Sequence, residues 1–336
     1  MAMASLLAGG GQTNAMVQTV SFFIGGMLTL VAGLLATSIL LGSSRKWLGG
    51  RHDLASLGVR NSARKRGRSL SVIVIMAAGV FMVCATNAFR QEAASATALR
   101  SAGTGGFHYV GESSMPIYED LNDAKTRELY GLDDEELDFS VVPFRVRDGE
   151  EASCLNLNQA QRPRLMAVDP NPLVEREAFT FQAKQGWEGD GSPWGLLSQR
   201  LEDGVIPGIM DYNSATYALK IRLGQEVVYE DELGRPLRIR LVGVLQNTLL
   251  QGSVLVSEDH FLEAFPSAGG YRYFLLDSSP ESAEELSVSM TRMLGDRGLS
   301  LTSTADRLNA FNNVQNTYLQ MFSALGGLGL LLGTVG

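Results

Sequence analysis

Charged residues are absent from the first 41 positions of this 336-residue chain, which contain no Lys, Arg, Asp or Glu. Cysteine is also scarce, with two in the whole sequence, and this excludes a disulfide-rich secreted scaffold. Intrinsic disorder is excluded too, because 45% of the residues are hydrophobic. The class of protein therefore has to be inferred from where the charges do occur.

The charges are segregated along the chain. Residues 42–68 contain eight basic residues and one acid, so the net charge of −8 consists of +7 in this stretch and −15 elsewhere. A basic island between uncharged stretches, followed by a long acidic body, is typical of a membrane protein. Anionic lipid headgroups explain the island better than nucleic acid does, and the acidic body argues against a polyanionic partner.

Two uncharged runs of twenty residues, 22–41 and 70–89, predict transmembrane helices. A helix needs roughly 20 apolar residues to cross the hydrocarbon core. The alternative is a buried helix of a soluble protein. Such helices rarely run for twenty residues without a charged residue, and arginines, Arg68 and Arg90, bracket the second run. The first run is not a secretory signal peptide, since no positive charge precedes it.

The basic island predicts the orientation. Lysine and arginine in a short loop between two spans mark the loop, residues 42–69, as cytoplasmic. Residues 1–21 and 90–313 are then expected to be extracytoplasmic. The predicted topology determinants are Arg45, Lys46, Arg60, Arg64, Lys65, Arg66 and Arg68.

A third span is predicted to begin within residues 314–336. No charged residue follows Arg307, and residues 321–336 are apolar or small throughout. Because sixteen residues fall short of a full crossing, we expect the chain to be a fragment of a longer membrane protein. Gly329 and Gly333 form a GxxxG pair, which predicts close helix packing at these two residues.

The extracytoplasmic body predicts an α+β domain. Alternation within 219–223 and 237–245, around a turn at 232–236, indicates a hairpin, and 253–257 and 271–276 are expected to be further strands. Residues 279–281 (Ser-Pro-Glu) predict a helix start that Gly295 ends. The stretch 149–194 is rich in Pro, Gln, Asn and Gly, and it predicts irregular loops.

Both connections between this body and the spans are predicted to be helical. Residues 69–102 contain no proline and one glycine, Gly79, so the second span is expected to continue outward through residues 91–94. Residues 303–324 contain neither residue type, and Ser303 with Asp306 resembles a capping box. Stiff links at both ends suit a domain that moves with its membrane helices.

Motifs of catalysis and cofactor binding are missing from the sequence. It contains no GxxxxGK[ST] and no GxSxG, and the SxxK of Ser43–Lys46 lacks its usual companion motifs. His52, His108 and His260 have no Cys, Asp or Glu at metal-binding spacing. We therefore expect no catalytic, cofactor or metal site and no enzymatic activity. Cys84 and Cys154 are expected in different compartments, hence unbridged to each other.

The segment 54–83 (LASLGVRNSARKRGRSLSVIVIMAAGVFMV) resembles the start of an FtsX-like ABC transporter permease, in which a short L-G-x-R-N lead and a basic cluster precede the span. The tail 314–336 (VQNTYLQMFSALGGLGLLLGTVG) is similar to the start of the permease domain itself. Three stretches between them, beginning at Gly103, Val141 and Pro207, are similar to the extracytoplasmic region of a bacterial subgroup of these permeases.

This resemblance implies a permease subunit of the MacB and lipoprotein-exporter type in the bacterial inner membrane. A separate ATPase chain would drive the membrane helices, and their motion would be transmitted to the extracytoplasmic domain. A second permease copy or half and membrane lipids are the other implied partners, and the implied substrate is lipid-linked or hydrophobic. The implied fold is transmembrane helices plus a MacB-like α+β periplasmic core domain.

Two other classes of function remain open at this point. A membrane-anchored sensor or receptor would bind a ligand with its extracytoplasmic domain. A membrane-tethered hydrolase would need a nucleophile and a base that the sequence does not show.

Overall fold

The computed structural model describes residues 15–47, 61–88, 99–132, 138–149, 162–187, 191–279 and 281–335. They fall into two compact units. The sheet unit lies within Glu92–Phe311, and the helical unit is formed by residues on either side of that range. The predicted fold class of apolar helices plus an α+β sheet domain is confirmed.

The helical unit contains α1 (Ala15–Trp47) and α2 (Arg66–Ala88). Among the described residues, Ser21–Ser43 and Arg66–Ala88 are the two helical stretches long and apolar enough to cross a membrane. The predicted span 22–41 lies inside the first stretch, and residues 70–88 of the predicted span 70–89 lie inside the second; residue 89 lies outside the described residues. Helix α1 begins before the predicted span, at Ala15, so the last part of the stretch 1–21 is helical. The expected continuation through residues 91–94 lies outside the described residues.

The last helix, α7 (Thr304–Val335), runs through 32 residues without a break. It includes residues 304–324 of the predicted helical link 303–324 and most of the expected third span. Its first residues belong to the sheet unit and its last residues to the helical unit. Ser303 itself ends a strand and is not the first residue of the helix.

The sheet unit is built on a ten-stranded mixed sheet of order β10-β1-β9-β2-β3-β8-β5-β7-β4, with β6 paired to part of β7. The β3–β8 and β5–β7 pairs are parallel, and the other pairs are antiparallel. The strands are β1 (Tyr109–Ile117), β2 (Phe139–Arg147), β3 (Arg164–Val168), β4 (Phe181–Lys184), β5 (Ile206–Asp211), β6 (Glu226–Glu230), β7 (Pro236–Leu245), β8 (Ser253–Ser257), β9 (Tyr271–Ser278) and β10 (Ser300–Ser303).

Four short helices accompany the strands: α3 (Ala124–Leu129), α4 (Asn171–Arg176), α5 (Glu258–Ala264) and α6 (Ala283–Met293). One face of the sheet, here called the first face, carries a core with Phe144, Met166 and Tyr273 at its centre. Trp194, fully buried, packs there from the 3₁₀ turn Pro193–Ser198. Alternate residues of the same strands point to the opposite face, as the period of two requires.

The opposite face carries two smaller cores. The core with Leu165 and Val256 at its centre packs against Phe261 of α5, and the other, centred on Phe274, packs against α6. Arg145 of β2 also lies on this face. Its Nε donates to Glu258 Oε1 at 2.7 Å, and its Cζ lies 4.5 Å from the centre of the Tyr271 ring.

One strand of the predicted hairpin is confirmed, and the other is wrong. Strand β7 covers the predicted 237–245, but its partner across the turn is β6, and not residues 219–223. Residues Ser214–Leu219 form a π-helical turn, and Lys220 after it is left-handed, with φ +57°. The alternation of Leu219, Ile221 and Leu223 reflects packing of this turn and the following loop against the core.

The predicted irregular stretch 149–194 is wrong in part, because it contains β3, α4 and β4. Strand β3 lies inside the sheet between β2 and β8, so it is apolar on both sides and lacks a polar alternation. Residues 150–161 and 188–190 lie outside the described residues. The other predicted strands are confirmed, since 253–257 is β8 and 271–276 lies in β9. The helix predicted from 279–281 begins at Ala283.

Helix α5 begins with a buried Ser–His pair. The Ser257 hydroxyl accepts a hydrogen bond from the His260 amide at 3.3 Å, and its Oγ lies 2.8 Å from His260 Nδ1. Ser257 is 2% exposed and His260 is 6% exposed, so the hydroxyl caps the helix out of reach of a substrate. Burial lowers the pKa of His260 below its usual value of 6.5.

This pKa predicts an acid-sensitive domain. The unfolded chain binds a proton at His260 more readily than the folded one, so the free energy of unfolding falls as the pH drops through about 6.5. We expect the loss of melting temperature between about pH 7.5 and about pH 5.5 to be smaller in His260→Gln than in the unmodified chain. Ser257→Ala, which keeps the imidazole, is the control and should retain the pH dependence. Equal losses in all three proteins would contradict the prediction.

Candidate functional site where the chain joins the sheet unit

The first and last strands of the sheet unit are neighbours. Tyr109 of β1 pairs with Ser303 of β10, and β1 pairs with β9 on its other side. The residues before β1 and after β10 are therefore brought together. We call residues 99–108 the lead-in segment and Ser303–Leu308 the lead-out segment, and the two form the candidate site.

Glycine turns shape the lead-in segment. The Gly105 amide donates to Ala102 O at 2.9 Å, and the Phe107 amide donates to Thr104 O at 3.2 Å. Gly105 has φ +64°, and a Cβ at this position would lie 2.7 Å from the Phe179 ring. Both the backbone conformation and the close approach of the ring therefore require glycine.

Arg176, the last residue of α4, fastens this segment to the sheet. Its Nη2 donates to Gly106 O at 2.7 Å and its Nε to Gly105 O at 3.3 Å. Its Nη1 forms an ion pair with Asp277 of β9. The guanidinium carbon also lies 4.5 Å from the centre of the Phe107 ring. With 15% of its side chain exposed, Arg176 makes these charge-assisted contacts largely away from water.

His108 completes the group around Asp277. Its Nδ1 lies 3.5 Å from Asp277 Oδ1, and its amide donates to Leu276 O at 2.9 Å. Sequence reasoning treated this histidine as isolated, because Asp277 is far away in the chain. Among the residues that the structure describes, no three His, Cys, Asp or Glu side chains are grouped to hold a metal ion.

Thr304, the first residue of α7, is bonded to the lead-in segment. Its hydroxyl donates to Phe107 O at 2.5 Å and lies 3.2 Å from His108 O. Its amide donates to His108 O at 3.0 Å. Thr304 is fully buried, so water does not compete for these bonds.

One turn later, Leu308 packs against the same segment. Leu308 is 2% exposed, and a Cβ at Gly103 would lie 3.0 Å from its Cδ2. On its other side, the same Cβ would lie 2.0 Å from Asn247 O. The Leu249 amide donates to Gly103 O at 2.9 Å. The lead-in segment is thus held between α7 and the loop after β7.

The arrangement is a joint. It contains no nucleophile beside a base, and its polar groups bind each other. A displacement of the first turn of α7 has to move the lead-in segment or break several buried hydrogen bonds. One feature of the sequence, the glycine-rich stretch 103–106, indicates a tight turn at this joint. Nothing in the local pattern around Arg176 indicates that its side chain contacts this stretch.

The predicted topology determinants lie in or near the helical unit. Arg45 and Lys46 belong to the end of α1, and Arg66 and Arg68 to the first turn of α2, with Arg64 and Lys65 directly before it; Arg60 lies outside the described residues. Arg66 Nη2 donates to Gly42 O of α1 at 3.2 Å, which joins the two helices at this end. The cytoplasmic location of these residues stays a prediction.

The predicted packing glycines of α7 lie beside α2. A Cβ at Gly333 would lie 2.6 Å from Met76 Cγ, and one at Gly329 would lie 4.0 Å from Ile75 Cγ2. The two backbones also approach each other at Gly79 and Gly326, where a Cβ on Gly79 would lie 2.8 Å from Gly326 O. Sequence reasoning missed this pair, although Gly79 is the one glycine of residues 69–102. Cys84, on the same helix, is unbridged, and Cys154 lies outside the described residues.

Removing the Arg176 side chain should weaken the sheet unit. In Arg176→Met, Asp277 loses its guanidinium and two carbonyl oxygens lose their donor, so we expect a loss of about 1–3 kcal/mol in the free energy of unfolding. Arg176→Lys should restore only part of it, because the donors of an ammonium all lie on one nitrogen and cannot reproduce the planar fork that contacts Gly105, Gly106 and Asp277. Denaturant unfolding followed by tryptophan fluorescence measures the loss. The control is Arg200→Met, which breaks an exposed ion pair with Glu263 and should cause only a small loss of unfolding free energy. An equally small loss in Arg176→Met would contradict the prediction.

Widening the contact at Gly79 should separate α2 from α7. A valine there would overlap Gly326 O, and we expect the yield of a disulfide between Ile75→Cys and Gly329→Cys, in a Cys84→Ser background, to fall severalfold. Gly327→Val is the matched control, because a Cβ at Gly327 meets nothing within 4 Å. The two valine variants would give the same yield if the contact at Gly79 were unimportant.

Solved structures similar to this chain include extracytoplasmic domains of two ABC-type transporters. The periplasmic region of MacB from Actinobacillus actinomycetemcomitans is 12% identical to this chain, with a TM-score of 0.35. The match covers 63% of this chain and 95% of the MacB region. The extracellular domain of the noncanonic ABC-type transporter YknZ from Gram-positive bacteria is 13% identical to this chain, with a TM-score of 0.30. The match covers 58% of this chain and 98% of the YknZ domain. No family model and no curated protein matches the chain. A likeness at this level does not assign a function to the chain.

Proposed function

We propose that this chain is the permease subunit of an ABC transporter of the mechanotransmission type. The observation that carries the proposal is the unbroken helix α7, whose first turn is bonded into the sheet unit and whose last turns contact α2 in the helical unit. A helix of 32 residues is on the order of 50 Å long and resists bending far better than an irregular linker. A shift of its apolar end is therefore carried to Thr304.

The joint defines what such a shift would move. Thr304 and Leu308 would displace the lead-in segment, and Arg176 would pass the displacement to Asp277 on β9 and to helix α4. Breaking the joint instead would expose buried hydrogen-bonding groups, each of which costs about 1–3 kcal/mol. The lowest-energy response is thus movement of the sheet unit as a body.

The partners follow from this mechanism and from the resemblance of residues 54–83 and 314–336. A separate ATPase chain supplies the energy, a second permease copy or half completes the membrane part, and lipids surround the apolar helices. The chain itself is not an enzyme. The substrate is lipid-linked or hydrophobic, and the sheet unit acts on it outside the cytoplasmic membrane of a bacterium.

A second candidate function is a membrane-anchored sensor, and one observation favours it. A groove of about 600 Å³ lies beside β7, between the residue that follows β4 and the residues that precede β6. Its polar lining includes Gln185, Lys220 and Arg240. A volume of this size suits a small ligand. In a sensor, ligand in the groove would move α7 without ATP.

Distance measurements during ATP turnover test the proposal. Spin labels at Leu99→Cys and Asn313→Cys, in a Cys84→Ser and Cys154→Ser background, report on the two connections in the full chain co-purified with its ATPase. We expect the distance distribution to change when ATP is added. Inserting two glycines after Asn313 should abolish the change while ATP hydrolysis continues, because glycine breaks the helix.

The matched control inserts four alanines at the same place, which lengthens α7 by about one turn and keeps it helical. This variant should retain the ATP-dependent change. An unchanged distance during turnover, or an equal change in the glycine variant, would contradict mechanotransmission. A change that occurs without ATP, on addition of a ligand, would favour the sensor.

A further inference from the structure

Two arginines share one carboxylate on the first face of the sheet. Glu112 Oε1 of β1 accepts from Arg164 Nη1 of β3 at 3.2 Å and from Arg307 Nη2 of α7 at 3.4 Å. Glu112 lies on the same strand face as Val110, and Arg164 on the same face as Met166, both members of the first-face core. The alternation of the strands thus places both side chains above this core.

The cluster has more hydrogen-bond donors than acceptors. A guanidinium group has several N–H donors and no acceptor. The Nε atoms of Arg164 and Arg307 are both buried and have no hydrogen-bond partner. The two contacts that the arginines make to Glu112 end on a single oxygen atom and are long for charge-assisted bonds.

The cluster also has an excess of positive charge. The charged groups that act on the buried Tyr273 beneath it are Arg307, Glu112 and Arg164, which together carry +1. Aromatic rings flank both arginines, since Arg164 Cζ lies 5.6 Å from the Tyr273 ring centre and Arg307 Cζ lies 5.3 Å from that of Phe311. Neither ring carries a formal negative charge, so the net charge is left for a group that approaches from solvent.

The approach from solvent is open. The side chains of Arg164, Arg307 and Glu112 are 27%, 40% and 43% exposed. The planar guanidinium group of each arginine matches the oxygen geometry of a phosphate or a carboxylate, and each can bind such a group through two hydrogen bonds. A second oxyanion would complete the pairing that Glu112 alone leaves unfinished.

We propose that Arg164 and Arg307 form a binding site for a phosphate group, carried either by a soluble ligand or by a lipid headgroup. Because Arg307 lies in the lead-out segment, one turn after the lead-in contact of Thr304, an anion here links α7 to β3. If the proposed transport function holds, an occupied site stiffens the joint; this consequence rests on that function, whereas binding itself does not.

Phosphate titration of the full chain in detergent tests the soluble source. At constant ionic strength set with chloride, we expect inorganic phosphate to raise the melting temperature. Arg307→Gln and Arg164→Gln should abolish this rise. Glu112→Gln should bind phosphate about fivefold more tightly, because it removes a like charge from beside the anion. A purely structural ion pair predicts a lower melting temperature in Glu112→Gln and no gain in phosphate affinity.

Reconstitution tests the lipid source. The chain in nanodiscs of phosphatidylglycerol should melt higher than in phosphate-free digalactosyldiacylglycerol, and Arg307→Gln and Arg164→Gln should each remove the difference. Glu263→Gln, which frees the single exposed Arg200, is the matched control and should gain no phosphate response. A response in either experiment that depends on both arginines supports the site and identifies its source. If neither response depends on them, the proposal is overturned, whatever the ATP-driven distance measurements show.

Discussion

The pairing of β1 with β10 is the constraint on which the rest of the sheet unit depends. It brings the residues before the first strand and the residues after the last strand to one place, so that both connections of the unit meet there. The buried hydroxyl of Thr304 and the glycine turns of the lead-in segment then close the contact. Without this pairing, α7 would hold only one side of the unit and the lead-in segment would lie apart from it.

The joint is strong because its parts are buried and mutually dependent. Each hydrogen bond contributes only about 1 kcal/mol net, but leaving its partner unsatisfied costs more. Arg176 adds charge where the backbone offers carbonyl oxygens, and Gly103 and Gly105 allow the side chains of Leu308 and Phe179 to approach. Arg307, one of the two arginines around Glu112, lies on the same helix as Thr304 and Leu308, so a bound anion and the joint would act on one element.

Patterns of local origin could be read from the sequence, and contacts of long range could not. The apolar runs of α1 and α2, the proline-free α7 and the alternation of β7 each follow from a period within one element. Strand β6 was placed seven residues too early, because a π-helical turn imitates alternation at Leu219 and Ile221. Arg176 and Asp277 are a hundred residues apart, and only the fold shows that they meet. The glycine contact of α2 was overlooked because a single glycine in a span has many uses.

The order of the strands has a consequence for biosynthesis. Strand β1 is among the first parts of the sheet unit to leave the ribosome, yet both of its neighbours, β9 and β10, are made last. A nascent chain therefore carries a strand with two open edges until nearly the whole unit has been translated, and such edges recruit other strands. Joining the two ends of the unit thus leaves the edges of β1 unpaired until the last two strands have been made.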